Sequence, residues 1–474
     1  MVLILKRILL LLFFGSAIVG VWNALKPLPK GLSYESPVIP ASSVTFLNDL
    51  TYQKDGKKVR EQQIFTHVFQ MIDSAKQFVV LDVFLFNSDY PKTMKFDGLA
   101  QALTTHLVHA IRERNLKVVL ITDPINTFYG AYDNPYLEQL KKAGAEVVVT
   151  DLSKTRDSNP IYSGFYRLCI APFGVSRARI ITSPFSVDSP KVSISAMLQM
   201  LNFKANHRKL IITETGVLAA SANPHDASSN HSNIAFYVES PEMVKSALYA
   251  EQAVLNFSGS KTDVTAFETL VPKHEVTGMY TVRLITESRI LDHMQQAVQK
   301  TVQGDHIDIG VFYLSHRGLI EDLVAAAKRG AKIRLVLDAN KDAFGRQKNG
   351  IPNRQVAQEL VNRGNGNVEV RWYLTQGEQF HSKLMKVTSG KTAVVFGGSC
   401  NFTRRNFEDL NLETDLMVAG SANAPVFKAV DDWFEKIWTN RNGVYTADAS
   451  AYADTNIGKT LLYRIMEATG ICTF

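Results

Sequence analysis

The sequence predicts an α/β fold built as two tandem halves with pseudo-twofold symmetry, meeting at one shared site. Three observations carry this expectation. Apolar runs short enough for buried strands alternate with amphipathic helical stretches in βαβαβ order, which implies a largely parallel sheet. That order occurs twice, and Lys117-Val-Val-Leu-Ile-Thr-Asp123 lines up with Lys332-Ile-Arg-Leu-Val-Leu-Asp338. Each copy then runs on to a hairpin carrying His-x-Lys: His207 and Lys209 in the first, His381 and Lys383 in the second. At 474 residues the chain exceeds the size at which single cores stop growing, which suits two halves.

The chain opens on Lys6 and Arg7 followed by an uncharged, mostly apolar run at 8–22. This is the pattern of a signal peptide or a membrane anchor over 1–25, and an uncleaved anchor competes with cleavage near Asn23-Ala24. A Lys- and Pro-rich linker opens an N-terminal extension at 26–61, in which 33–58 is expected to be irregular with turns at Pro37, Pro40 and Asp55-Gly56. The first half spans 62–257. It reads as a helix at 62–75, a strand at 78–86, a helix at 98–114, a strand at 117–122, a helix at 135–143 and a strand at 146–150. An insertion at about 151–204 accounts for the 84 positions from Asp123 to His207, against 43 from Asp338 to His381. It mixes Arg156, Arg167, Arg177, Arg179 and Lys191 with Tyr162, Phe165, Tyr166, Phe173 and Phe185. A loop of this kind beside a site suits a lid or a patch dipping into lipid, or else a surface excursion packed on its own side chains.

A helix at 241–255 ends the first half, and 258–278 is a linker. The second half, 279–440, repeats the pattern with helices at 288–302, 317–329 and 352–363 and strands at 306–313, 332–338 and 368–373. The C-terminal extension, 441–474, follows a packing helix at 427–438 and carries another at 458–469.

Side chains two apart on a strand point the same way, so each His-Lys pair shares a face. The returning strand of each hairpin delivers a Ser and an Asn: Ser221 and Asn223, then Ser399 and Asn401. Two imidazoles facing each other across a gap lined by two ammonium groups and two carboxamides suit a tetrahedral phosphodiester. One histidine attacks phosphorus while the other handles the leaving and entering oxygens. The lysines neutralise the non-bridging oxygens and Asn223 and Asn401 donate hydrogen bonds. No metal and no cofactor is demanded, since lysines supply the positive charge.

These paired motifs resemble the H-x-K-x4-D and G-S-x-N signatures of the phospholipase D superfamily, most closely its bacterial cardiolipin synthase and phospholipase D-like branch. The resemblance implies two αβα sandwich halves sharing one active site, and a phosphohistidine intermediate on His207 with His381 as acid and base. Glu413 resembles the family acid that orients a catalytic histidine. Its counterpart in the first half falls at Ala235, so Asn233 is the candidate there. The motif aspartate is Glu214 in the first half and Thr388 in the second, and the first G-S-x-N reads Ala220-Ser221-Ala222-Asn223.

The remaining histidines of that loop, His225 and His231, are expected to be solvated, and Asp123 and Asp338 to cap helices. Three cysteines form neither a disulfide framework nor a zinc site. With 52 Lys plus Arg against 45 Asp plus Glu, the net charge of +7 suits an anionic partner without choosing between lipid and nucleic acid. The expectation is a membrane-associated phosphodiesterase or phosphatidyltransferase working on membrane phospholipids, on the outer side of the cytoplasmic membrane or tethered to it. The alternatives are a nuclease using the same chemistry on DNA or RNA, and an inactive membrane-tethered lipid-binding scaffold.

Overall fold

We analysed a computed structural model that describes residues 1–273, 278–343, 346–472 and 474; part of the expected linker, 274–277, lies outside them. Two sheets dominate. The first has eight strands in the order Lys57–Glu61, Val44–Lys54, Asn233–Val238, Val217–Ala220, Lys209–Thr213, Phe78–Val83, Lys117–Thr122 and Glu146–Val149. The second has nine: Ile39–Ala41, Tyr280–Thr286, Thr414–Ser421, Thr392–Gly398, Lys383–Ser389, His306–Val311, Lys332–Asp338, Val368–Tyr373 and Thr446–Asp448. From Val44–Lys54 and Tyr280–Thr286 onward the strand order is the same in both.

Each sheet is mixed, not largely parallel. Phe78–Val83, Lys117–Thr122 and Glu146–Val149 run parallel, whereas Lys209–Thr213 and the strands beyond it pair antiparallel. Helical crossovers return the chain parallel from strand to strand, whereas the tight turn after Lys209–Thr213 can return it only antiparallel.

Strand residues alternate between two cores. Phe78 and Val80 face inward with Leu384, Val395 and Leu416 of the other half, in one cluster that also holds Val244 and Leu248 of helix Pro241–Phe257 and Trp433 and Phe434 of helix Pro425–Trp438. Val79 and Leu81 face outward onto helices Ile64–Ser74, Leu99–Arg114 and Pro135–Ala143. The second sheet's outer face packs the same way on Ser288–Gln299, Arg317–Lys328 and Asn353–Arg363. Each half is thus a sheet between helical layers, and the inner layers merge.

The region expected to be irregular, 33–58, is instead largely strand. Ile39–Ala41 edges the second sheet and Val44–Lys54 enters the first against Asn233–Val238. The Asp55-Gly56 turn is where it was expected, with φ of +50° and +72° closing the hairpin to Lys57–Glu61. Asn48 and Asp49 break the apolar alternation of this strand. Asp49 is nevertheless buried, because its carboxylate accepts the backbone N–H groups of Gln63 and Ile64 at the start of the next helix.

The N-terminal helix, Val2–Leu25, is long and apolar enough to cross a membrane. The insertion contains helices Pro160–Cys169 and Ile194–Met200.

Candidate active site

The two His-x-Lys segments meet at the junction of the halves. His207 and His381 each stand just ahead of their strands, Lys209–Thr213 and Lys383–Ser389. A buried aspartate pins each approach: Asp123 accepts the Asn206 backbone N–H at 2.7 Å and Asp338 accepts that of Phe380 at 2.8 Å. Asp123 also caps the short helical turn at 124–127, as expected, through Ile125.

Each histidine is then tied to the opposite half. The His207 N–H donates to the Leu412 carbonyl and the His381 N–H to the Ser232 carbonyl. The side chains cross over in the same manner. His207 Nδ1 lies 2.8 Å from Glu413 Oε1, and His381 Nδ1 lies 3.2 Å from Asn233 Oδ1.

The motif serines complete the symmetry. Ser221 Oγ donates to Asn233 Oδ1 and accepts the Ile234 N–H, while Ser399 Oγ donates to Glu413 and accepts the Thr414 N–H. These matched bonds make Asn233 the counterpart of Glu413. The sequence alignment that set Ala235 opposite Glu413 is therefore off by two positions, and Ala235 corresponds to Asp415.

The lysines sit beneath the histidines. Lys209 Nζ and Lys383 Nζ each donate to the carbonyl of their own histidine at 2.7 Å, and both are fully buried. Lys209 packs over Phe84 and Lys383 over Phe312, and those same rings flank His207 at 4.8 Å and His381 at 5.3 Å. Burial pulls the Lys209 pKa down to about 7, and burial with the neighbouring Lys209 charge pulls Lys383 well below its ordinary value.

Burial also pushes both histidines well below theirs, with the Lys209 and Lys383 charges adding to the effect. Glu413 is pushed up to about 8 by burial, against the Lys209 charge and hydrogen bonds from Ser399 and Asn406. The site is built to receive negative charge.

His207, His381, Asn223 and Asn401 line a cleft of about 560 Å³. Among the described residues, Asn401 Oδ1, an acceptor, is buried without a hydrogen-bond partner. Phe84, Tyr90, Phe96, Phe185 and Phe312 make much of the remaining wall.

Of the expected site residues, Glu214 is not part of this cleft. It lies five residues beyond Lys209, roughly 17 Å along an extended strand, and accepts the Lys76 backbone N–H at 2.7 Å. His225 and His231 are not solvated but buried at the cleft, with the His231 ring 5.7 Å from that of His381. Apolar neighbours and the partner half enclose their loop, which its own polar composition does not disclose.

Phe84 and Phe312 were missed as site residues because each extends an apolar strand. Their matched places after Val83 and Val311 in the duplicated strands are the signal that finds them. Arg208, between His207 and Lys209, points the other way and pairs with Glu251 and Glu287, and Glu287 in turn accepts the Glu413 backbone N–H.

Residues 280–438 match the family model described as cardiolipin synthase, PLD-like domain. No curated protein matches the sequence. Among solved structures, phosphatidylserine synthase of Haemophilus influenzae Rd KW20 aligns over 96% of this chain and 98% of its own, with a TM-score of 0.58 at 9% identity. Polyphosphate kinase from Porphyromonas gingivalis aligns over 83% of this chain and 50% of its own, with a TM-score of 0.44 at 10% identity. The phospholipase D family member Nuc from Salmonella typhimurium covers 35% of this chain and 97% of its own, with a TM-score of 0.27 at 20% identity. Residues 280–438 therefore match a PLD-like domain, and the chain as a whole shares its two-half fold with the phosphatidylserine synthase structure.

Proposed function

We propose that the protein is a phosphodiesterase or phosphatidyltransferase acting on glycerophospholipid head groups through a phosphohistidine. The observation that carries this reading is the crossed pair of histidines, each held at Nδ1 by a residue of the other half and each lining the same cleft. With Nδ1 occupied, Nε2 is the reacting nitrogen.

His207, paired with Glu413, is the nucleophile, because Glu413 in its ionised form, which the Lys209 charge and the bonds from Ser399 and Asn406 favour against burial, stabilises the positive ring that forms on attack. Its Nε2 bonds to phosphorus as the P–O bond to the departing alcohol breaks. That oxygen takes a proton from His381. In the second step His381 removes the proton from water or an acceptor alcohol, whose oxygen bonds to phosphorus as the P–N bond breaks and His207 is regenerated.

Lys209 and Lys383 lie too deep to bond the phosphate in this arrangement, and act by their positive field on the non-bridging oxygens. Asn223 and Asn401 reach those oxygens from the wall. The phosphate's negative charge offsets that field and raises His381 toward the protonated form it needs. The aromatic lining and the apolar N-terminal helix favour a lipid substrate, in keeping with the lipid synthases named by the family model and the full-length structural neighbour.

The test is turnover of labelled phosphatidylglycerol and phosphatidylcholine micelles, beside single-stranded DNA, by the wild type, His207→Ala and His381→Ala. Lipid turnover is expected, falling on the order of 10³-fold or more in each variant. A p-nitrophenyl phosphodiester, whose leaving group needs no proton, should restore a burst to His381→Ala and none to His207→Ala. Turnover of DNA alone overturns the lipid substrate. Equal activity in all three proteins overturns the site.

A further inference from the structure

The insertion helix Pro160–Cys169 does not lie on the body of the protein but runs along the N-terminal helix. Its start, Pro160, touches Gly20, and Leu168 near its end touches Gly15, so the two helices are antiparallel. They meet through small residues. A side chain at Gly164 would strike the Ser16 carbonyl and come within 2.9 Å of Gly20 Cα, and one at Gly20 would come within 3.2 Å of the Pro160 carbonyl carbon. Glycines at such a crossing let two backbones approach closely, an arrangement suited to packing inside a bilayer.

The two segments are tied together at their root, and the root to the body. The Asn23 carbonyl accepts the Asp157 N–H at 3.0 Å, Lys26 Nζ donates to the Ser153 carbonyl at 2.9 Å, and Arg156 Nε donates to the Lys26 carbonyl at 2.9 Å, while Arg156 Nη1 reaches Asp409 of the second half at 3.3 Å.

This geometry constrains any membrane the N-terminal helix crosses. Ten helical residues rise roughly 15 Å, about half of a 30 Å hydrocarbon core, and they accompany the half of the N-terminal helix nearest the body. Ile161, Phe165 and Leu168 are exposed, and Phe173 just beyond the tip is 87% exposed. The one charged residue of the insertion helix, Arg167, turns back out. Its guanidinium donates to both carboxylate oxygens of Asp157 and to the Ser153 carbonyl at the root. Tyr162 places its hydroxyl on the Leu198 carbonyl at 2.6 Å. Both of these polar heads are paired in an apolar surround, while Ser16 and Ser163 Oγ on the two helices are buried without a partner among the described residues.

We propose that helix Pro160–Cys169 is embedded in one leaflet of a phospholipid bilayer, packed against a retained N-terminal helix, and that the pair forms a fixed wedge beside the cleft. The same insertion supplies Pro184 and Phe185 to the cleft wall. The wedge therefore sets the height of the site at the lipid surface, where a head group enters without leaving its membrane. The proposal does not depend on the reaction assigned to the histidines.

The test uses the full-length protein in vesicles of phosphatidylcholine and phosphatidylglycerol, in a Cys169→Ser background because the other two cysteines are buried. An environment-sensitive nitrobenzoxadiazole probe is placed by Phe165→Cys, by Phe173→Cys, or by Lys328→Cys as an exposed control. Doxyl-labelled lipid should quench the first two several-fold more than the control, and aqueous iodide should quench only the control. Iodide quenching at Phe165→Cys and Phe173→Cys equal to the control overturns the embedding. Gly15→Cys with Leu168→Cys should form an intramolecular disulfide on mild oxidation, detected by mass spectrometry. Intact chains that form none overturn the helix pairing, and a membrane-extracted chain lacking its first 22 residues overturns retention.

Discussion

His207 and His381 occupy equivalent places in the two halves yet lean on different partners, a carboxylate for one and a carboxamide for the other. Asn233 Oδ1 also accepts from Ser221, so it is fixed as an acceptor and holds His381 in the tautomer with its proton on Nδ1. An amide orients the ring without favouring its charge, and burial and the Lys383, His231 and Lys209 neighbours keep the His381 pKa low. A general acid with a lowered pKa loses its proton as pH rises through that value, so the alkaline limb of kcat/KM lies at low pH. Asn233→Asp places a carboxylate where the amide was and favours the imidazolium. The limb should move to higher pH, by about one to three units, while binding of an unreactive phosphodiester analogue at low pH stays within about threefold of the wild type. A limb that does not move would show that His381 is not the proton donor.

Among elements, the returning strands Val217–Ala220 and Thr392–Gly398 bring the halves together. Gly397 is the tight point: a Cβ there would lie 2.6 Å from the Phe236 ring and 3.0 Å from Ile234 Cδ1. Gly397→Val should cost roughly 1–3 kcal/mol through overpacking, read as a lower denaturant midpoint. It should also lower activity beyond that loss, because Ser399 two residues on holds Glu413 against His207. An unchanged midpoint would mean that the halves separate freely at this strand. This hairpin was legible in the sequence because its function is local, with His, Lys, Ser and Asn recurring at the same offsets. Strand Val44–Lys54 was not, because its partner, Asn233–Val238, comes from far along the chain and its buried Asp49 is satisfied by backbone that no alternation pattern records. The same limit hid His231 and set Ala235, not Asn233, opposite Glu413 in the alignment. His231 and Asn233 both act across the junction, and their role is defined by a residue of the other half.

At the scale of the molecule the halves are alike in strand order but not independent. The central cluster runs unbroken from Phe46, Leu210 and Phe236 to Leu384, Val395 and Trp433, with Phe46 stacked edge-on against Trp433 at 5.7 Å. Ile39–Ala41, ahead of the first half, edges the second sheet, while Tyr52 stacks on Tyr445 at 4.3 Å and Lys436 reaches Glu61 at 2.7 Å. Separating the halves would therefore expose the inner face of both sheets, and each buried Leu or Phe so uncovered forfeits roughly 1.5–3 kcal/mol. That is beyond the margin of about 5–15 kcal/mol by which domains are stable. Chemistry fails on the same cut, since Glu413 leaves His207 and Asn233 leaves His381. Residues 1–257 and 258–474 expressed apart should be inactive and aggregation-prone, whereas the two co-expressed should recover a share of wild-type activity by rebuilding the central cluster. Gel filtration and turnover of the separate and combined fragments decide this. A second half that is monodisperse and active by itself would mean that a single histidine suffices, and the crossed pair would then lose its place in the mechanism.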